Sequence, residues 1–229
     1  MKKYEIFLFD ADDTLYDYKM AEANALRVMF ENSRIAYTED LRSAYREINS
    51  QEWAKYEKGE ITKNALQIAR FRRLFENIGV NFDAADFNAK YLYELGKGSF
   101  LIDGALEICR YITSAGKKIY IVTNGILATQ KSRIANSLIK DYISDFFVSE
   151  FVGFQKPAAA YFEYVFSHIP QVGRDKILII GDSLSADMAG GCNAGIDSCW
   201  FNPGFIENMT DIRPTYEIRK LEELKEFVN

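Results

Sequence analysis

Basic residues never gather into a block along this 229-residue chain, whose formal net charge is -5. Nucleic-acid polymers and anionic membrane surfaces need a concentrated positive field to bind, so neither is an expected partner. Cysteine is scarce and odd in number, three in all. Cys109, Cys192 and Cys199 sit in apolar surroundings without a C-x-x-C pair, which argues against a disulfide framework or a zinc site and fits core thiols in a reducing cytoplasm. The single histidine, His168, lies just before Pro170 in a helical stretch and away from any expected strand end, so it is expected at the surface or in packing and not in chemistry. No apolar run approaches the length of a membrane span. Glu5 and Asp10 interrupt what would be the core of a leader after Lys2 and Lys3, and the chain is expected to be soluble and cytoplasmic. There is no internal repeat, low-complexity tract or Pro-rich linker.

What is present is enough apolar material, 48% of residues, for one large domain or a domain with an insert. Apolar residues at helical spacing predict four helices, Ala21 to Asn32, Asp40 to Tyr56, Lys63 to Asn77 and Ala84 to Leu95, separated by Asn or Gly breaks. From Asp103 the pattern alternates. Helices are predicted over Gly104 to Ser114, Leu127 to Leu138, Ala158 to Ser167, Ser185 to Ala194 and Lys220 to Val228. Short apolar strands are predicted over Lys118 to Thr123, Phe146 to Ser149, Lys176 to Gly181 and Ser198 to Phe201. Strands of this kind between helices argue for an α/β fold with a mostly parallel sheet covered on both faces. Ile6 to Asp10 joins that sheet as its first strand, with the helical stretch inserted after it. The expected organisation is a core of residues 1–16 and 97–229 and a helical domain of residues 17–96.

Chemistry concentrates at the strand ends. Ile6-Phe7-Leu8-Phe9 runs directly into Asp10, with Asp12 and Asp13 close behind, so a buried strand delivers acids to its C-terminal edge, where open α/β sheets bind ligands. Thr123-Asn124-Gly125 closes a second apolar strand with a hydroxyl and glycine suited to gripping phosphate oxygens; taken alone it is also an ordinary turn. Lys156 stands before Pro157 at a helix start. Ile177-Leu178-Ile179-Ile180 ends in Gly181-Asp182, and Asp187 follows near the next helix. Four carboxylates at one sheet edge repel strongly unless protons are retained or a cation neutralises them. The fitting occupant is a hard cation such as Mg2+, which binds one or two carboxylates together with phosphate and water.

These four segments, in this order, resemble the motifs of the haloacid dehalogenase superfamily phosphatases over nearly the whole chain. The resemblance implies a Rossmann-like core with a helical-bundle cap and hydrolysis through an aspartyl-phosphate. By position Asp10 resembles the nucleophile and Asp12 the acid/base. Thr123 and the Asn124 backbone resemble the phosphate grip, and Lys156 the cation that compensates charge on nucleophile and phosphoryl group. Asp182 resembles the direct Mg2+ ligand beside the Asp10 carboxylate and the Asp12 carbonyl, while Asp187 resembles a residue that orients water or Lys156 from behind them.

Asp13 stands where the commonest form of the first motif has Gly. With Gly181 to Leu184, Gly190-Gly191 and Trp200 to Pro203, it is similar to the pyrimidine 5′-nucleotidase branch, which implies a nucleoside 5′-monophosphate as substrate. Phosphoglycolate or a sugar phosphate is the alternative. A phosphomutase would share every catalytic residue, whereas a 2-haloacid dehalogenase or a phosphonate hydrolase has no need of Asp12. A non-catalytic binding protein has little reason to keep all the motif residues. In the insert, Glu57 to Thr62 resembles the loop that reaches over the phosphate in capped relatives, making Lys58 and Gly59 substrate-contact candidates; it reads equally as a plain helix–helix turn.

Overall fold

The computed structural model describes residues 2–228. Six strands form one sheet: β1 (Ile6–Phe9), β2 (Lys118–Thr123), β3 (Asp145–Val148), β4 (Ile177–Gly181), β5 (Asp197–Phe201) and β6 (Tyr216–Ile218). Their spatial order is β3-β2-β1-β4-β5-β6, and every neighbouring pair is parallel. Alternation along the strands explains why both faces are covered. Phe7, Phe9, Ile119, Ile121, Leu178 and Ile180 pack into one apolar cluster, and Ile6, Leu8, Tyr120, Val122, Ile177 and Ile179 into another. Each such side chain taken fully out of water contributes roughly 1.5–3 kcal/mol. The strand order reverses between β1 and β4, so the crevice at their carboxyl ends is the ligand-binding position of this topology.

The chain groups into two compact units, divided at Tyr18/Lys19 and at Gly98/Ser99. The helical unit holds α1 (Tyr18–Asn32), α2 (Glu39–Glu57), α3 (Lys63–Ile78) and α4 (Ala84–Leu95). Thr38, Thr62 and Asp83 cap α2, α3 and α4 by accepting backbone N–H bonds, and left-handed Gly79 ends α3. The interior is aromatic: the Phe71 ring lies 5.4 Å from Tyr45, 5.1 Å from Tyr91 and 5.0 Å from Phe87. No helix among the described residues is long and apolar enough to cross a membrane.

The sheet unit adds α5 (Ala105–Ser114), α6 (Leu127–Ala135), α7 (Ser149–Val152), α8 (Ala159–His168) and α9 (Ala189–Ala194). Several elements differ from the sequence expectation. The helix expected to reach Leu138 stops at Ala135, with Asn136 as its cap and the Ser137 hydroxyl turning the chain by accepting the Ile139 N–H. The closing helix is 3-10 over Leu221–Phe227, with Leu221, Leu224 and Phe227 buried at the three-residue period of that helix. The run expected as one helix from Ser185 begins instead with a π turn, Leu184–Met188, before α9. β6, three residues paired only to β5, was not expected at all. Cys109 and Cys199 are buried and free, but Cys192 is exposed and not a core thiol.

Candidate active site

Parallel register brings the expected residues to one edge. Phe9 is level with Ile121 and Ile180, so Asp10 leaves β1 beside the ends of β2 and β4. Lys156 reaches into that edge and is 2% exposed. Its ammonium donates to Asp10 Oδ1 at 2.6 Å, Asp187 Oδ1 at 2.5 Å and the Val122 carbonyl at 2.8 Å. An ammonium has three donors, and all three are used.

Asp187 is held in place by the π turn. Its second oxygen accepts the Ser183 N–H at 3.2 Å and lies against Gly181, where a Cβ would stand 2.1 Å from Asp187 Oδ2. Only glycine at 181 lets this carboxylate reach Lys156. Carboxylate oxygens of Asp10, Asp182 and Asp187 come within 4.8 Å of one another, a grouping able to hold a metal ion.

Charge is in excess here. Burial raises the Asp10 carboxyl well above the usual range, and the carboxylates of Asp187, Asp182 and Asp12 raise it further against the pull of Lys156. Asp182 is pushed up to about 7 by burial, then by Asp187 and Asp13. Much of the Asp182 surface is open to solvent, so carboxylate crowding is the firmer of those causes. Burial would lower Lys156, but Asp10 and Asp187 raise it above its ordinary value. Lys156 stays cationic, and the acids around it call for further positive charge.

The phosphate-grip candidates have mixed geometry. The Thr123 hydroxyl is buried at the end of β2 and accepts the Gly125 N–H at 3.0 Å. The Asn124 side chain ties two loops together, its amide donating to the Lys156 carbonyl and its oxygen accepting the Lys156 N–H, each at 2.9 Å. Asp13 has a left-handed backbone, φ 55°, which explains why glycine suits this position in the resembled motif and why aspartate is tolerated. Lys58 and Gly59 belong to the helical unit, where Lys58 caps α2 and Gly59 takes φ 74°, so helix-ending geometry accounts for the turn. His168 is exposed and stacked on Tyr164 at 4.1 Å.

Two residues at this edge escaped the sequence reading. Gln130 Nε2 donates to Asp12 Oδ2 at 2.6 Å, and Arg133 Nη1 donates to Asp12 Oδ1. Both come from α6, three residues apart on one face. The available signal was that spacing, in the helix that follows the Thr-Asn-Gly turn.

Residues 4–195 match the haloacid dehalogenase-like hydrolases. The chain belongs to that family. Within it, the chain is 45% identical over 229 residues to the HAD-hydrolase YfnB of Bacillus subtilis, covering 100% of this chain and 97% of that one. A crystal structure of YfnB bound to magnesium superposes with a TM-score of 0.93 at 44% identity, covering 100% of both chains. The pyrimidine 5′-nucleotidase PynA of Streptococcus pneumoniae is 35% identical over 221 residues, covering 96% of this chain and 93% of its own. The pyrimidine 5′-nucleotidase YjjG of Escherichia coli is 30% identical over 226 residues, covering 99% of this chain and 98% of its own. With these relatives and an acid–lysine cluster at the switch point, the chain is a phosphatase-type member of the family.

Proposed function

We propose that the protein is a Mg2+-dependent phosphomonoesterase that acts on nucleoside 5′-monophosphates, with pyrimidine bases preferred. The observation that carries the chemistry is the Asp10–Lys156–Asp187 network with Asp182 beside it, a buried nucleophile and a fixed cation in an edge with surplus negative charge. The substrate class is supported by the two pyrimidine 5′-nucleotidases at 35% and 30% identity, each aligned over nearly the whole chain.

The donor set fits a hard cation, because its side-chain donors are all carboxylate oxygens, and burial together with neighbouring acids pushes Asp10 and Asp182 upward. Asp10 and Asp182 would hold Mg2+ together with the Asp12 carbonyl, while Asp187 is committed to Lys156. Bound there, the ion supplies positive charge to the phosphoryl oxygens. The residues do the rest. An Asp10 oxygen attacks phosphorus as the ester P–O bond breaks, and Asp12 delivers its proton to the departing oxygen. Lys156 balances the charge, and Thr123 with the Asn124 backbone steadies the phosphoryl oxygens. In the second half, water attacks the aspartyl-phosphate, its proton passes to Asp12, and the Asp10–phosphorus bond breaks to release phosphate. A 2-haloacid dehalogenase would leave Asp12 without a role. Lys58 and Gly59 in the α2–α3 turn contribute to the choice among leaving groups and not to the phosphoryl chemistry.

The test is phosphate release from pyrimidine and purine 5′-monophosphates, phosphoglycolate, sugar phosphates and an aryl phosphate, with Mg2+ and with excess chelator. Activity is expected only with Mg2+, and kcat/KM is expected to be highest for pyrimidine monophosphates. Lys58→Ala is expected to lower nucleotide turnover selectively while aryl phosphate hydrolysis is kept. Full activity in chelator overturns the metal assignment. A higher kcat/KM for phosphoglycolate or a sugar phosphate overturns the substrate, and isomerisation of a sugar 1-phosphate without phosphate release replaces the hydrolase by a mutase.

A further inference from the structure

We infer that Gln130 and Arg133 are positioning residues for the proton-transfer step of Asp12, a clamp on α6 that fixes where the acid/base carboxyl points; this rests on the phosphatase reading above. The geometry is two-pronged, since Gln130 takes one carboxylate oxygen and Arg133 the other. Asp12 is 29% exposed at its side chain, whereas Arg133 is 0% and Gln130 1% exposed. Burying a guanidinium carries a desolvation penalty, and an apolar residue of similar size would pack α6 at least as well. What an apolar residue could not do is hold a carboxylate by two donors in a fixed plane.

Three other contacts tie the clamp to the site. The Arg133 guanidinium lies over the Tyr16 ring, 4.9 Å from its centroid, and Tyr16 is bridged through its backbone to Asp12. Gln130 crosses the Thr-Asn-Gly turn: a Cβ at Gly125 would stand 2.4 Å from Gln130 Nε2 and 2.9 Å from its Cγ, so glycine there is what admits the Gln130 arm. Gln130 thus passes close to the turn implicated in phosphate binding on its way to the acid/base carboxyl. An aspartate carboxylate has about four lone-pair sites, and two donors leave sites open for the transferred proton. The clamp restrains orientation without blocking transfer, which matters because a general acid acts only within hydrogen-bond reach of the oxygen it serves.

The leaving group separates this role from a structural one. An alkoxide leaving from thymidine 5′-monophosphate needs the proton from Asp12, whereas p-nitrophenolate leaves without one. Gln130→Met and Arg133→Met, made in the full chain and assayed with Mg2+, are expected to lower kcat on thymidine 5′-monophosphate by about 10²-fold, the lower end of general acid–base effects. KM is expected to move by less than about threefold, and the first-turnover release of p-nitrophenolate is expected to stay near wild type. Arg133→Lys is expected to recover part of the loss. Thermal unfolding checks that each variant is folded, and Gln130→Met keeps the test open if the Arg133 variants are not. Equal losses in the p-nitrophenolate first turnover and the nucleotide kcat, or no loss in either, overturn the clamp while leaving the phosphatase reading intact. Wild-type protein that releases phosphate from neither ester overturns both.

Discussion

Lys156 in the sheet unit and Arg70 in the helical unit are both large cations buried to the same degree, and the oxygens that accept their hydrogen bonds differ in kind. Lys156 is given two carboxylates and a carbonyl. Arg70 donates to the amide oxygens of Asn49 at 3.1 Å and Asn88 at 2.9 Å, and its guanidinium lies over the rings of Phe71 and Tyr91. Neutral oxygens and ring faces satisfy direction more than charge. Through them one residue of α3 joins α2 to α4, so Arg70 fixes how the bundle is assembled. Around Lys156 the negative charge exceeds what one ammonium can balance, which creates the demand for a cation and adds to the burial that raises the Asp10 carboxyl. On the proposed function, the buried cation held by acids serves chemistry, and the one held by amides serves architecture.

Asp10→Asn breaks the comparison hardest. An amide cannot attack phosphorus, so phosphate release is expected to fall by on the order of 10⁴-fold or more. Lys156 keeps Asp187 and the Val122 carbonyl, so the thermal midpoint is expected to change little. A near wild-type rate would remove the covalent mechanism. Next comes Arg70→Leu, which leaves the Asn49 and Asn88 oxygens without these donors and is expected to cost about 2–4 kcal/mol in denaturant titration. Aryl phosphate turnover of the folded variant should be kept, and a loss of activity without a loss of stability would contradict an architectural role.

The smallest effects come from two buried glutamates of the helical unit, and they have opposite signs. Burial raises the Glu22 carboxyl above the usual range despite its bond to Arg46. For Glu52 burial is outweighed by hydrogen bonds from Lys55 and Arg73, which hold it below that range. A raised value removes stability as pH climbs from the unfolded carboxyl value, about 4.3, through the folded one. A depressed value adds stability above the unfolded range, and that addition is lost as pH falls through the folded value. At pH 7, Glu52→Gln is expected to destabilise by about 1 kcal/mol, with its cationic partners partly in solvent, and Glu22→Gln to stabilise by a smaller amount. Both differences should shrink on acidification, as followed by thermal melts across pH.

What the sequence revealed is what is locally encoded. An apolar run ending in Asp10, another ending in Thr123 and a third ending in Gly181-Asp182 mark strand ends without knowledge of the fold, because strand patterning and its abrupt end are features of consecutive residues. Gln130 and Arg133 were invisible for the converse reason. On a nine-residue helix, polar residues three apart read as the solvated face, and only the fold shows that this face turns inward to Asp12. Arg70 hides in the same way among charged neighbours. β6 has three residues with one buried, too short for alternation to register. The π turn was missed because it goes with tertiary contacts, those of Asp187 with Gly181 and Lys156, which lie outside any local pattern.

The position of β1 in the sheet has a consequence for how the protein is made. The strand that carries Asp10 is translated before its two neighbours, Lys118–Thr123 and Ile177–Gly181. Lys19–Gly98 is a contiguous stretch with its own aromatic interior, and at roughly 5–20 residues per second it is complete seconds before β4 leaves the ribosome. The order of synthesis therefore imposes a wait: Asp10 is made well before Lys156, Asp182 and Asp187, the residues that come to surround it.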